Sequence, residues 1–213
     1  MAYKTILFDL DGTLTDSGEG IINCASLALE YFGIPVPDRT IMRAFVGPPL
    51  HDMFIKFGVS ARDVDKAVEV YRSRYHTVGK FENFPYPGIR ELLTELKSRD
   101  YCLLVATSKP EALSIEILEK FGLAKFFDRI CGASLDRSRI NKEDVIAYLL
   151  DNYKTNGALI MVGDTAFDVT GAAAHGIPTI GVSWGYGSVE EMKAAGAATI
   201  AHTPQELLQL LIT

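Results

Sequence analysis

Four stretches of the chain, Ile6–Phe8, Cys102–Ala106, Ala158–Val162 and Thr179–Val182, are continuously apolar, with no alternation of inward and outward positions. A strand with one face in water alternates polar and apolar residues, whereas a strand covered on both faces does not. Covered strands need helices on each side, and the intervening sequence supplies them. Ile89, Leu92, Leu93 and Leu96 recur at i, i+3, i+4 and i+7, and segments 110–121, 142–152, 165–175 and 203–212 read similarly, with Pro110 and Pro204 placed as helix starters. From about residue 88 onward the pattern is strand, helix, strand, which requires a parallel sheet and places the chain in the α/β class.

The interval 17–81 breaks that rhythm. Ile22, Ala25, Leu29 and Phe32 form one helical stripe and Val64, Ala67, Val68, Tyr71 and Tyr75 another, separated by the proline-rich loops "GIPVPD" and "VGPPL". The expected organisation is therefore an α/β core from 1–16 and 82–213 with a helical insertion at 17–81, hinged at Thr15–Ser17 and Asn83–Gly88. A length of 213 residues with 48% hydrophobic content suits one domain carrying such an insertion. A net charge of -6 leaves no cationic excess to displace counterions from phosphates, which argues against nonspecific nucleic-acid or acidic-membrane partners. The three scattered cysteines, Cys24, Cys102 and Cys131, show no metal or redox spacing and read as buried thiols in a reducing cytoplasm. The N-terminus has no leader pattern, no stretch approaches the ~20 apolar residues of a membrane span, and nothing demands more than a monomer.

In an open parallel sheet, ligands bind beyond the carboxyl ends of the strands. Asp9 and Asp11 follow the first strand, Thr107, Ser108 and Lys109 the second, and Asp164 and Asp168 a later one. Four carboxylates brought together in a poorly solvated cleft repel one another, so a divalent cation is expected, and an all-oxygen donor set suits Mg²⁺. Lys142, opening a helix, offers fixed positive charge to an anionic substrate. In an extended segment residues i and i+2 point the same way, so Asp9 and Asp11 are expected to face one group. Lys109 either touches substrate or caps the helix beginning at Pro110. Trp184 and Tyr186, in "GVSWGYGS", follow a strand end and either border the cleft or serve core or loop packing, the reading preferred here.

With "DLDGT", "ATS", a helix-start lysine and "GDTAFD" in this order, the chain resembles the haloacid dehalogenase superfamily, in the subgroup similar to phosphoglycolate phosphatases, β-phosphoglucomutases and nucleotidase-like phosphatases. The resemblance implies a Rossmann-like core with a cap of the C1 type. It implies that Asp9 is a nucleophile forming an aspartyl-phosphate and a Mg²⁺ ligand. Asp11 would serve as general acid and base, with its carbonyl on the metal. Thr107 would hydrogen-bond the transferring phosphoryl group, Lys142 would balance negative charge, Asp164 would bind Mg²⁺ directly and Asp168 directly or through a water; Ser108 and Lys109 are further substrate-binding candidates, and Asp168 read by itself could instead hold the loop or cap the following helix. "RAFVGPPL" occupies the place of the cap specificity loop, making Arg43, Gly47 and His51 candidates for leaving-group recognition.

An acid at position 11 favours cleavage of an oxygen ester, whose alkoxide needs a proton, over cleavage of a carbon-halogen or carbon-phosphorus bond. The expected activity is Mg²⁺-dependent hydrolysis of a small-metabolite phosphomonoester such as a phosphoglycolate-, nucleoside monophosphate- or sugar-phosphate-like compound. The alternatives are a sugar-phosphate mutase using the same intermediate and a noncatalytic module that binds phosphometabolites.

Overall fold

The structure is a computed structural model that describes residues 3–134, 136 and 138–212. It divides into two compact units, Met1–Thr15 with Pro85–Thr213, and Asp16–Phe84.

In the first unit six strands form one parallel sheet: β1 (Tyr3–Phe8), β4 (Cys102–Pro110), β5 (Arg129–Ala133), β6 (Ala158–Gly163), β7 (Thr179–Val182) and β8 (Thr199–Ala201). Their order is β5-β4-β1-β6-β7-β8. The chain fills one side of β1 with β4 and β5, then crosses to fill the other with β6, β7 and β8. The strand order therefore reverses about β1, which opens a crevice at the carboxyl ends of β1, β4 and β6. Side chains alternate across the sheet and both sets are buried. Ile6, Phe8, Leu103, Val105, Ile160 and Val162 pack with α5 (Ile89–Ser98) and α10 (Pro204–Ile212). Leu7, Leu104, Ala106 and Met161 pack with α7 (Lys142–Asn152) and α8 (Ala166–Ala173) on the other face. Each of these side chains other than Ala106 contributes about 1.5–3 kcal/mol on burial, and the two-sided demand explains the unbroken apolar runs.

The sequence pattern leaves out β5, β8 and the short α9 (Val189–Ala194). Both strands lie at the sheet edges, and β8 is only three residues long, so neither carries a run of covered positions. Residues 107–109 do not lie after β4 but within it, because the strand continues to Pro110, past a register shift against β5 between Ala106 and Pro110. α6 (Glu111–Lys120) begins directly after Pro110.

The second unit is helical. α1 (Gly18–Tyr31) packs on α4 (Val64–Tyr75), with α2 (Arg39–Met42) and α3 (Leu50–Lys56) between them in sequence. Ala25, Leu29 and Val68 are buried, and Phe45 packs against Phe54 and Phe57 at ring distances of 5.1 and 4.7 Å. α2 and α3 occupy the stretch that reads as proline-rich loop, where helices of four and seven residues are too short to show a period. The chain enters and leaves this unit through β2 (Thr15–Asp16) and β3 (Phe84–Pro85), which pair as a two-stranded sheet. No helix among the described residues is long and apolar enough to cross a membrane.

Candidate active site

Asp9 leaves β1 at the crevice, its amide donating to the Val162 carbonyl of β6 at 2.9 Å. The Lys142 ammonium lies 2.7 Å from the Asp9 carboxylate and 2.7 Å from that of Asp168, and donates to the Ala106 carbonyl at 2.7 Å. This lysine, 4% exposed, is thus held between the end of β1, β4 and α8 by one hydrogen bond and two ion pairs. It stands there because it is the first residue of α7, whose start is fixed by a capping box. The Asn141 side chain accepts from the Asp144 amide, and Asp144 accepts from the Asn141 amide.

Asp168 has two tasks. One carboxylate oxygen faces Lys142, while the other accepts from the Thr165 amide at 3.0 Å and hydroxyl at 2.8 Å, capping α8. Thr107 is buried, and its hydroxyl accepts from the Lys109 amide at 3.2 Å. Ser108 is exposed.

Asp164, fully buried, follows β6. The Thr13 hydroxyl donates to one of its oxygens at 3.0 Å and the Tyr186 amide to the other at 2.9 Å. Two glycines make this possible. A Cβ at Gly12, whose φ of +84° already disfavours any side chain, or at Gly185 would overlap the Asp164 carboxylate.

Oxygens of Asp9, Asp164 and Asp168 lie within 4.8 Å of one another, three buried carboxylates against one ammonium. Burial pushes Asp9 up to about 6, with Lys142 pulling the other way and Asp168 adding to the rise. Burial, followed by the charges of Asp168 and Asp9, pushes Asp164 up to about 8 against the bonds from Tyr186 and Thr13. Burial alone would lower Lys142, but the two carboxylates outweigh it and hold it above the ordinary lysine value. An excess of buried anionic oxygen with no soft donor fits a hard divalent cation.

Asp11 is a correction to the sequence reading. Its carboxylate is not part of the cluster: it pairs with Lys109 at 2.6 Å, and both side chains are largely buried. Three carboxylates converge rather than four, and each acid of the Asp-x-Asp pair has its own lysine. The Lys109 ammonium meets Asp11 beside the crevice. The sequence reading also passed over Thr13, Gly12 and the Tyr186 amide as supports of Asp164. Their signal was present in the two glycines flanking an aromatic residue just beyond a strand.

In the helical unit Arg43 is exposed at the start of a short 3₁₀ turn, and Gly47 has a φ of +105° in the loop that follows. His51 bonds Asp65 at 2.9 Å, an exposed pair between α3 and α4.

The profile of the haloacid dehalogenase-like hydrolases matches residues 6–182. A 5'-nucleotidase of Pseudomonas aeruginosa is 41% identical over 196 residues, 91% of this chain and 89% of that protein. A protein of Mycobacterium tuberculosis named tyrosine-protein kinase PtkA is 40% identical over 211 residues, 98% of this chain and 72% of that protein. Among solved structures, a predicted phosphatase from Clostridium acetobutylicum superimposes with a TM-score of 0.91 at 44% identity, covering 99% of each chain. The match spans the elements that carry Asp9, Asp11, Lys109, Lys142, Asp164 and Asp168, and the chain is an enzyme that belongs to the haloacid dehalogenase-like hydrolases.

Proposed function

We propose that the chain is a Mg²⁺-dependent phosphatase that hydrolyses a small phosphomonoester in the cytoplasm through an aspartyl-phosphate on Asp9. The observation that carries this reading is the Lys142 ammonium ion-paired at once with Asp9 and Asp168 and donating to the Ala106 carbonyl, beside a third buried carboxylate. Phosphoryl transfer asks a protein mainly to position groups and to neutralise charge spread over three oxygens. Asp9 is the nucleophile, held on one side by Lys142. Asp11 protonates the leaving oxygen and then takes a proton from water, while Lys109 fixes its carboxylate. The Thr107 hydroxyl and Ser108 receive the phosphoryl oxygens. Asp9, Asp164 and Asp168, with the Asp11 carbonyl, hold Mg²⁺, which when bound supplies positive charge to the phosphate. Arg43 and Gly47 contribute to choosing the leaving group.

The relatives named 5'-nucleotidase and phosphatase support a nucleoside monophosphate or similar metabolite as substrate. The relative named a tyrosine kinase favours a second reading, in which tyrosine rather than water accepts the phosphoryl group. A panel of cellular monophosphates and an aryl phosphate, assayed for inorganic phosphate with Mg²⁺ and with EDTA, tests the first reading. Release should require Mg²⁺ and fall at least about a thousandfold in Asp9→Asn, as expected when a nucleophile is removed. Mass analysis of a quenched reaction should find 80 Da, the mass of a phosphoryl group replacing a proton, on a peptide containing Asp9. Failure to turn over any ester, together with label from ATP appearing on tyrosine, would favour the second.

A further inference from the structure

Asp164 is held by two loops that come from opposite ends of the sequence. The turn after β1 supplies the Thr13 hydroxyl at 3.0 Å, and the segment after β7 supplies the Tyr186 amide at 2.9 Å. These loops are tied to each other by the Trp184 indole, whose N–H donates to the Thr13 carbonyl at 3.0 Å. The indole also meets the Tyr86 ring edge-on at 6.5 Å, and the Tyr86 amide donates to Leu14, one residue beyond Thr13. Four groups thus close a circuit: Trp184 to Thr13, Thr13 to Asp164, Asp164 to Tyr186, and Tyr186 back through one residue to Trp184. Trp184 itself makes no bond to Asp164. It fixes the separation of the two loops whose donors aim the carboxylate, and Gly12 and Gly185 let both loops close on it.

We infer that Trp184 is a positioning residue that sets the affinity of the Asp9, Asp164 and Asp168 cluster for a divalent cation. The inference rests on reading those three carboxylates as cation ligands. A carboxylate free to rotate would have to be ordered at the moment of binding, and groups that orient ligands from behind commonly alter metal affinity by 10–100-fold, roughly. The indole acts one bond further back, so its loss should weaken binding about tenfold.

The chain contains one tryptophan. Replacing tryptophan biosynthetically by β-(3-benzothienyl)alanine therefore changes position 184 alone, exchanging the indole N–H for sulfur at nearly constant shape. Isothermal titration of the metal-free protein with MgCl₂ should give a dissociation constant about tenfold weaker than wild type. kcat at saturating Mg²⁺ and KM for the ester should be little changed. Trp184→Phe should weaken Mg²⁺ binding at least as much. A tryptophan that served packing alone would lower the melting temperature and leave Mg²⁺ affinity where it was. Equal affinity in the wild-type and sulfur-substituted chains would overturn the brace while leaving the cation site standing. A wild-type chain that binds no Mg²⁺ would overturn both.

Discussion

Asp9 and Asp11 are two residues apart, yet each is matched with a different lysine. Burial would lower Lys142, but the charges of Asp168 and Asp9 beside it hold its ammonium above the ordinary lysine value. Lys109 sits on β4, 98 residues from Asp11 in the sequence, and its ammonium meets that carboxylate in a largely enclosed place. Removing one member of such a pair leaves the other charge poorly solvated, at a cost of about 3–5 kcal/mol when burial is complete and less here. Lys109→Met should therefore lower the melting temperature by several degrees. It should also lower kcat unevenly. Alkyl phosphates, whose leaving oxygen needs a proton, should lose about 10- to 100-fold, while an aryl phosphate such as p-nitrophenyl phosphate, which departs without one, loses little. Equal losses on both substrates would show that Lys109 does not serve Asp11 in proton transfer.

Elements matter here through where they begin. α7 opens on Lys142, and α8 carries Asp168 at its third position, each start being fixed by a capping box. A helix that frays by one turn at its start would release the ammonium from Asp9 and Asp168 together. Asn141→Ala removes the cap and should cost about 1 kcal/mol, some 2–4 °C for a chain of this size. Turnover should fall several-fold beyond that, measured well below the melting temperature. Asn152 bonds the Tyr148 carbonyl at the opposite end of the same helix. Asn152→Ala should cost a similar or smaller stability with turnover intact, and an equal effect of the two variants on kcat would contradict the role given to the α7 start.

For the whole molecule, the carboxylate cluster couples stability to pH. Folded Asp9 and Asp164 hold their protons up to about 6 and about 8, whereas in the unfolded chain they release them near the ordinary value of 3.8. Between these limits the native state binds more protons than the unfolded state, so stability falls as pH rises. In EDTA the melting temperature should decline from pH 5 to pH 8.5. Mg²⁺ should restore it, and the gain should be larger at pH 8 than at pH 5, because binding requires the ionised carboxylates. Asp164→Asn should flatten the decline. A melting temperature that rises across this interval without metal would exclude raised carboxyl groups in the fold.

The α/β class and the central strands were legible along the chain, and Asp9 and Asp164 directly follow strands as read, while residues 107–109 lie within one. Each depends on local information: an unbroken apolar run, a period of 3.6, a proline, a carboxylate after a strand. The edge strands β5 and β8 and the short α2, α3 and α9 were not, since a few residues cannot carry a period. Residue types therefore determined which chemistry was available. Which lysine meets which aspartate, and which loop holds Asp164, was decided by the strand order β5-β4-β1-β6-β7-β8, which brings residues 9, 106, 142 and 168 within bonding distance. Strand order follows from how both faces of the sheet are covered at once, and that is a property of the assembled core rather than of any one segment.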